Sequence, residues 1–407
     1  MTAGVGAATR SASRLGPPGA GRALTLATVA LLINFWAWNL LAPLAPGYAE
    51  GLSLSPLQVS VLVSVPVLVG SLGRIPLGAL TDRFGGRLVF AATTFVAIAP
   101  VLFLAVATAY PALLVGGFLL GVSGATFAIG VPYVTPWIVP ARRGFALGVY
   151  GAGNIGTAVS GFVSPSIAGS LGRPWAFLVV AAALALIGAL FLVFGREAPG
   201  RTATSGSFSA RFLAALRLPV ARDLSLLYAI TFGGFVAFGA YLPTYLASAY
   251  GLETRDAALR AAGFIVVATV FRPIGGLLSD RVDGARVLAW GLGIVGLGAV
   301  VTAFAPPLPL ATVAFLSMAA ALGLGNGAVF ALLGRRVPGP QVGSATGLVG
   351  AAGGLGGFLP PLVMGLVVQL TGSYAIGLML LSDVAFAGLV YTWWRFVSLH
   401  EAAPSRG

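Results

Sequence analysis

The chain has 407 residues, of which 58% are hydrophobic and only 8% are charged. Soluble domains are far less apolar, so the composition excludes a soluble enzyme and indicates a protein that crosses the membrane many times. The net charge is +13, which would suggest nucleic-acid binding in a soluble protein. The chain has no cysteine, which excludes disulfides, thiol catalysis and thiolate metal sites.

About twelve apolar stretches are each long enough to cross a bilayer as a helix. Proline, glycine and arginine separate them, and the predicted spans are residues 23–44, 57–80, 88–108, 111–138, 144–168, 174–195, 223–248, 261–279, 287–305, 308–334, 342–370 and 374–395. Residues 1–22 are rich in Gly, Ala and Arg, and we expect them to form a disordered cytoplasmic N-terminus without a signal-peptide core.

The arginines fall mainly on one side of the membrane if these spans are correct. The opposite side receives only Arg173, Arg255 and Arg260, whereas the richer side receives the loops that contain Arg83, Arg87, Arg142, Arg143, Arg281, Arg286, Arg335 and Arg336. Short cytoplasmic loops carry an excess of basic residues. The sequence therefore predicts a multi-pass protein of the cytoplasmic membrane with both termini in the cytoplasm.

The longest loop, residues 196–222, lies near the midpoint of the chain and is predicted to be a cytoplasmic linker. It separates an N-terminal six-helix bundle, residues 23–195, from a C-terminal one, residues 223–395. Residues 396–407 are predicted to be a cytoplasmic tail.

An internal repeat relates the two halves. FRPIGGLLSDRVDGAR, at residues 271–286, repeats the pattern of residues 70–87 at a constant offset. Six positions match, and they include Arg74 with Arg272. The repeat indicates an internal duplication, in which each half supplies one arginine at an equivalent place.

Arg74 lies within an apolar run, eight residues before Asp82 and therefore ~12 Å deeper along a helix. An arginine near the bilayer centre costs at least ~2.5 kcal/mol and indicates a functional site. Of the ten acidic residues only Asp383 is predicted to lie mid-membrane, and one acid cannot neutralise both Arg74 and Arg272. Structural ion pairing and snorkelling are the alternatives. We favour a site in which two guanidinium groups bind a small planar anion.

Two glycine-rich motifs, GVYGAGNIG at residues 148–156 and GLVGAAGGLGG at residues 347–357, open spans five and eleven. Their spacing favours close helix contact, and the residues predicted to take part in conformational change are Gly148, Gly151, Gly347 and Gly350. Asn154 offers an amide that can donate to an anion. A further motif pair places Phe127 and Phe330 at matching positions, where they either form pocket walls or pack in the core.

The loop LTDRFGGR resembles the G-x-L-x-D-R-x-G-R loop of the major facilitator superfamily, and LSDRVDGAR is a weaker second copy. The resemblance implies that this loop latches the cytoplasmic side between conformations, with the role assigned to Asp82, Arg83, Arg87, Asp280 and Arg281. The alternative is a turn that only sets topology.

The combination of RIP, DRFGGR, GNIG, GNGAVF and GLVGAAGGLGG resembles the nitrate/nitrite porter family of that superfamily. The resemblance implies an all-α membrane protein with a major facilitator fold, in which about twelve helices form two pseudo-symmetric six-helix bundles. It also implies that two arginines clamp the anion with help from an amide, a tyrosine and stacked aromatic rings. The matching residues are Arg74, Arg272, Asn154, Tyr228, Phe35, Phe127 and Phe232.

We therefore expect a monomeric carrier that moves nitrate or nitrite by alternating access, contacts lipid, and needs no cofactor, metal or nucleic acid. Exchange is favoured over proton symport because no histidine or acid lines spans 1, 2, 4, 5, 7, 8, 10 or 11. Alternatives are a proton-coupled symporter, a carrier of cyanate, formate or a short carboxylate, and an anion sensor that does not transport. An enzyme is disfavoured because the spans hold no nucleophile–base or metal constellation.

Overall fold

The computed structural model describes residues 15–139, 142–199, 208–337 and 342–398, and every regular element within these ranges is a helix. The expected disorder of residues 1–22 mostly concerns residues outside this part, although the first helix already begins at Ala20. Residues 200–207 of the predicted linker and residues 399–407 of the predicted tail also lie outside it. The division into two bundles at residues 196–222 stays a prediction.

Six spans precede the linker, and several consist of more than one helical segment. They are span 1 (Ala20–Trp38 and Leu41–Leu52), span 2 (Pro56–Phe84), span 3 (Gly86–Val96 and Ile98–Val106), span 4 (Tyr110–Leu120, a 3₁₀ segment Gly121–Thr126, and Phe127–Val134 followed by a 3₁₀ turn Thr135–Trp137), span 5 (Arg143–Gly151, a 3₁₀ turn Ala152–Asn154, and Ile155–Leu171) and span 6 (Arg173–Phe194).

Six further spans follow a short helix, Phe208–Arg217, that falls within the predicted linker. They are span 7 (Pro219–Tyr250), span 8 (Thr254–Arg281), span 9 (Gly284–Ala303), span 10 (Leu308–Arg336), span 11 (Val342–Thr371) and span 12 (Ala375–Thr392, continued by a π-helical turn Trp393–Ser398).

The prediction of an all-α protein with about twelve membrane spans is confirmed. In the described ranges, eleven spans are long and apolar enough to cross a membrane. The remaining one is span 5, whose longer segment after the 3₁₀ turn, Ile155–Leu171, has 17 residues. Span 1 extends beyond its predicted end at residue 44 because Pro46 sits inside the helix Leu41–Leu52 instead of ending it. Such prolines are tolerated in membrane helices, where neighbouring groups satisfy the freed carbonyls.

Span 2 begins with a complete capping box. The Ser55 hydroxyl accepts a hydrogen bond from the backbone N–H of Gln58, whose side chain accepts one from the backbone N–H of Ser55. Pro56 occupies the first helical position, where its missing N–H costs nothing. This end fixes the start of the long helix that carries Arg74 towards the middle of the bundle.

Span 11 lies between span 2 of the first half and span 7 of the second, and its glycines permit the close approach. A Cβ atom at Gly354 would lie 2.2 Å from Oγ of Ser71, and one at Gly356 would lie 2.1 Å from the carbonyl oxygen of Ala229. Small residues let membrane helices approach until their backbones nearly touch. Residues two apart point to opposite sides of a helix, so span 11 contacts one half with each side.

The two halves meet closely on one side of the site and are separated on the other. We call the side of the protein where spans 2 and 8 end, near Arg83 and Arg281, the arginine-rich face. Near this face, a Cβ atom added at Gly78, Gly276 or Gly347 would have no neighbour within 4 Å. Towards the opposite face the helices touch, since a Cβ atom at Gly365 would lie 2.2 Å from Oγ of Ser60. Open space therefore lies on the arginine-rich side.

Candidate functional site

Arg74 projects from span 2 into the interface between the halves and is only 1% exposed. Its Nε donates to the carbonyl oxygen of Gly124 in span 4 at 3.4 Å, and its Nη1 donates to the carbonyl oxygen of Gly350 in span 11. Its Nη2 is buried and has no hydrogen-bond partner. One donor of this guanidinium thus remains available within the protein interior.

Arg272 occupies the equivalent place in span 8 and is 4% exposed. Its Nη2 donates to the hydroxyl of Tyr228 in span 7 at 2.7 Å, whereas its Nη1 is buried without a partner. A Cβ atom at Gly151 would lie 2.9 Å from Nε of Arg272, so only glycine lets span 5 approach the guanidinium this closely. The second cation therefore also keeps one free donor.

Two aromatic rings are shared by the two guanidinium groups. The Phe127 ring centroid lies 5.5 Å from Cζ of Arg74 and 5.5 Å from Cζ of Arg272. The Phe232 centroid lies 5.3 Å and 5.6 Å from the same two atoms. Both rings are within the range of cation–π attraction, which offsets part of the cost of burying the charges. The two cations therefore flank one aromatic-walled space.

Two further rings complete the wall on the Arg272 side. The Tyr228 ring stacks on Phe232 at 5.0 Å with an interplanar angle of 10°. Phe330 lies edge-on to Tyr228 at 5.1 Å, and its centroid is 5.6 Å from Cζ of Arg272. Aromatic rings dominate the surroundings of the guanidinium groups, so an ion there is held away from water.

The charge of this site is not balanced. Within the part of the chain that the structure describes, no carboxylate pairs with Arg74 or Arg272. A buried charge without a partner is strongly unfavourable, and each buried unpaired donor adds about 1–3 kcal/mol. A small anion that accepts from Nη2 of Arg74 and Nη1 of Arg272 would supply both the missing charge and the missing acceptors.

Asn154 lies in the 3₁₀ turn that interrupts span 5, one helical turn beyond Gly151. The residue is buried, and its side-chain oxygen has no hydrogen-bond partner. Its backbone carbonyl accepts from the Thr157 hydroxyl at 2.8 Å, which holds the turn in place. The turn therefore keeps a buried amide close to the segment that contacts Arg272.

A sequence model of the Major Facilitator Superfamily matches residues 27–268 and 224–407, which together cover almost the whole chain. The chain belongs to the major facilitator superfamily. The predicted major facilitator fold is thereby confirmed.

Similar proteins place the chain more finely within this superfamily. It is 46% identical to a probable nitrate/nitrite transporter, NarK2, of Mycobacterium tuberculosis, with 94% of this chain and 96% of the relative covered. It is 40% identical to a nitrite extrusion protein of Bacillus subtilis (92% and 94% covered) and 38% identical to a probable nitrate transporter, NarT, of Staphylococcus haemolyticus (89% and 93%). The predicted membership of the nitrate/nitrite porter family is confirmed, and these relatives are named as transport proteins, not enzymes.

Two solved structures share the fold. The human organic anion transporter MFSD10 superposes with a TM-score of 0.74 at 17% identity, covering 92% of this chain and all of the other. A bacterial homologue of the lysosomal transporter Spinster gives 0.67 at 20% identity, covering 93% of this chain and 95% of the other. At these identities the likeness concerns the major facilitator fold alone.

Most of the residues that the sequence singled out for substrate lie together around the two arginines of this major facilitator protein. Tyr228, Phe127 and Phe232 contact the guanidinium groups directly. Phe35 is fully buried, but its ring packs edge-on against Trp38 at 4.9 Å. No ring contact joins Phe35 to either guanidinium in the described ranges, and its role at the substrate stays a prediction.

The glycines predicted for conformational change also border the site. Gly350 supplies the carbonyl that accepts from Arg74, and Gly151 packs against Arg272. A Cβ atom at Gly148 would lie 3.4 Å from Cα of Pro273, whereas Gly347 faces open space. Gly148, Gly151 and Gly350 therefore lie where the two halves meet, and the role of all four glycines in movement stays a prediction.

The loop motif typical of the superfamily is described only in part. The side chains of Asp82 and Asp280 lie outside what the structure describes. Arg87 joins the start of span 3 to the end of span 6, because its backbone N–H donates to Glu197 at 2.8 Å and its Nη2 donates to the carbonyl oxygen of Leu192. Arg83 and Arg281 are exposed. The latch function of the loop stays a prediction.

Sequence reasoning missed the backbone acceptors of Arg74 and the role of Tyr150. The Tyr150 hydroxyl donates to the carbonyl oxygens of Thr126 and Phe127 at 3.1 and 3.2 Å, and its ring stacks on Phe127 at 5.5 Å. Tyr150 therefore positions the shared aromatic wall. Its place inside the motif GVYGAGNIG, beside residues already assigned to the site, was the available signal.

Proposed function

We propose that this protein carries nitrate and nitrite across the membrane by alternating access, with the anion held between Arg74 and Arg272. The observation that carries the proposal is the pair of buried guanidinium groups, each with one unpaired Nη atom and neither paired with a described carboxylate. A planar anion with several acceptor oxygens suits two such donors at once. The names of the similar proteins support nitrate and nitrite as the anions.

The protein is oriented in the cytoplasmic membrane with the arginine-rich face and both termini in the cytoplasm. The excess of arginine in short loops on that face supports this orientation. The open space beside Gly78 and Gly276 then lies on the cytoplasmic side. The described conformation corresponds to a carrier whose site is closed towards the outside.

Counterflow in proteoliposomes tests the substrate. Vesicles loaded with unlabelled nitrate are expected to accumulate labelled nitrate, and external nitrite is expected to compete. Cyanate, formate and acetate should compete weakly, because nitrate and nitrite are the anions that the family resemblance supports. Strong competition by formate or acetate with none by nitrite would indicate a carrier of another small anion. Binding without any counterflow would indicate a sensor.

Asn154→Ala is expected to weaken nitrate binding without abolishing it. If the amide donates to the anion, its loss removes a hydrogen bond to a charged group, which is about 1.5–3 kcal/mol or roughly 10–150-fold in affinity. Calorimetry on purified protein measures this. Unchanged affinity in Asn154→Ala, together with loss of folding in Asn154→Leu, would assign the residue to packing.

Gly78→Leu is expected to abolish transport while nitrate binding is retained. Gly78 lies one turn from Arg74 on the open side, so a larger side chain fits in this conformation and obstructs closure of that side. Gly169→Leu is the matched control, because Gly169 is exposed near the end of span 5 and also has free space around it. Normal counterflow in Gly78→Leu would show that the halves do not close at this point.

A further inference from the structure

A second cavity lies in the C-terminal half, away from the two arginines. It has a volume of about 400 Å³ and is lined by spans 7, 10, 11 and 12. Most of its lining is hydrocarbon, from residues such as Phe238, Phe315, Leu359, Met364 and Leu381. The volume falls within the range of sites for small ligands, about 300–1,000 Å³.

The cavity faces the lipid of the membrane half that is remote from the arginine-rich face. Spans 11 and 12 line it with residues 359–364, in the second half of span 11, and residues 377–384, which begin near the start of span 12; these parts meet at that end. Leu359 and Val384 border it from the two spans and are 60% and 49% exposed. A molecule dissolved in that half of the bilayer can therefore enter sideways.

Among the described residues that line this cavity, Asp383 alone is charged. It lies eight residues from the start of span 12, roughly 12 Å into the membrane, and is exposed on the helix surface. No described residue forms an ion pair with it. The residues of the anion site do not line this cavity, so Asp383 does not serve the anion directly.

A carboxylate at this depth costs about 2.5–3.5 kcal/mol when it faces hydrocarbon without a partner. A cation brought by a ligand would offset this cost, and the apolar walls would hold the rest of the ligand. A neutral acyl chain would pack against the apolar walls but would bring no positive charge to Asp383. Charge complementarity therefore favours a cationic occupant over lipid alone.

We propose that this cavity binds a lipophilic organic cation, with its apolar body between spans 7, 11 and 12 and its ammonium group against Asp383. Decyltrimethylammonium is a suitable probe, because its charge is permanent and its single chain is flexible. Decanol has the same chain without the charge and serves as the matched neutral probe.

The test measures binding of both probes to the purified full chain in nanodiscs of neutral lipid. Decyltrimethylammonium is expected to bind saturably to the unmodified protein and at least tenfold more weakly to Asp383→Asn, whereas decanol should not distinguish the two proteins. Leu380→Trp fills the cavity from span 12 and keeps the acid, so it should weaken binding of the cation as well. Leu186→Trp, at a position on span 6 that is 63% exposed, should have no effect.

Equal affinity of the cation for the unmodified protein and for Asp383→Asn would overturn the proposal. Equal effects of Leu380→Trp and Leu186→Trp would overturn it too, because binding would then lie outside the cavity. Nitrate affinity of each variant reports on folding and on the anion site separately. If the cation does not bind in this cavity, the assignment of Arg74 and Arg272 to the anion site is therefore unaffected.

Discussion

Arg74→Lys and Arg272→Lys are each expected to lower nitrate transport at least ~100-fold while expression is unchanged. Lysine keeps the charge but cannot present a planar pair of donors. Each exchange removes a donor to the anion and also a bond that orients the side chain, to Gly350 for Arg74 and to Tyr228 for Arg272. Two lost hydrogen bonds to charged groups correspond to about 3 kcal/mol or more.

Arg260→Lys is the matched control for these variants. Arg260 is exposed and pairs with Asp256 four residues away, so the same exchange there should leave counterflow unchanged. Near-normal transport by either Arg74→Lys or Arg272→Lys would contradict a bidentate site. Loss of transport in all three variants would point to a general effect of replacing arginine.

Nitrate entry into vesicles is expected to be fast when nitrate or nitrite is trapped inside and slow when the vesicles are empty. The empty carrier holds two like charges around the shared rings Phe127 and Phe232, and closing the halves on them brings the charges into a drier environment. A bound anion relieves the repulsion, so the loaded form crosses more readily than the empty one. This difference defines an obligatory exchanger.

An imposed pH gradient separates exchange from proton symport. We expect it to have little effect, because Asp383, an acid in the middle of span 12, lines the lipid-facing cavity and not the anion site. Rapid uptake into empty vesicles driven by an acid exterior, and lost in Asp383→Asn, would contradict exchange. That result would assign Asp383 to a proton pathway.

The sequence alone predicted the two buried arginines, because each can be recognised from the apolar residues next to it in the chain. An arginine deep inside an apolar run has no inexpensive structural role, and its recurrence as Arg272 marks the equivalent place in the second half. The number of spans followed from hydrophobic length and from the asymmetry of arginine between loops. The observed ends of the spans differ from the predicted ones, as in span 1, which continues past Pro46. Tertiary contacts decide whether a proline ends a membrane helix.

The remaining parts of the site depend on how separate helices approach one another, which single-sequence patterns do not record. The carbonyl oxygens of Gly124 and Gly350 accept from Arg74 only because spans 4 and 11 pack against span 2. In NFWAWN, neighbouring aromatic residues differ by about 100° around the helix, so the ring that faces the site depends on helix rotation. The structure turns Phe35 and Trp38 towards each other.

A structure determined with nitrate bound would show where the anion binds. Planar density is expected between Nη2 of Arg74 and Nη1 of Arg272, the two donors that are unpaired without it, and alongside the rings of Phe127 and Phe232. Nitrate found elsewhere, with both of these nitrogen atoms still unpaired, would show that the two guanidinium groups do not form the binding site.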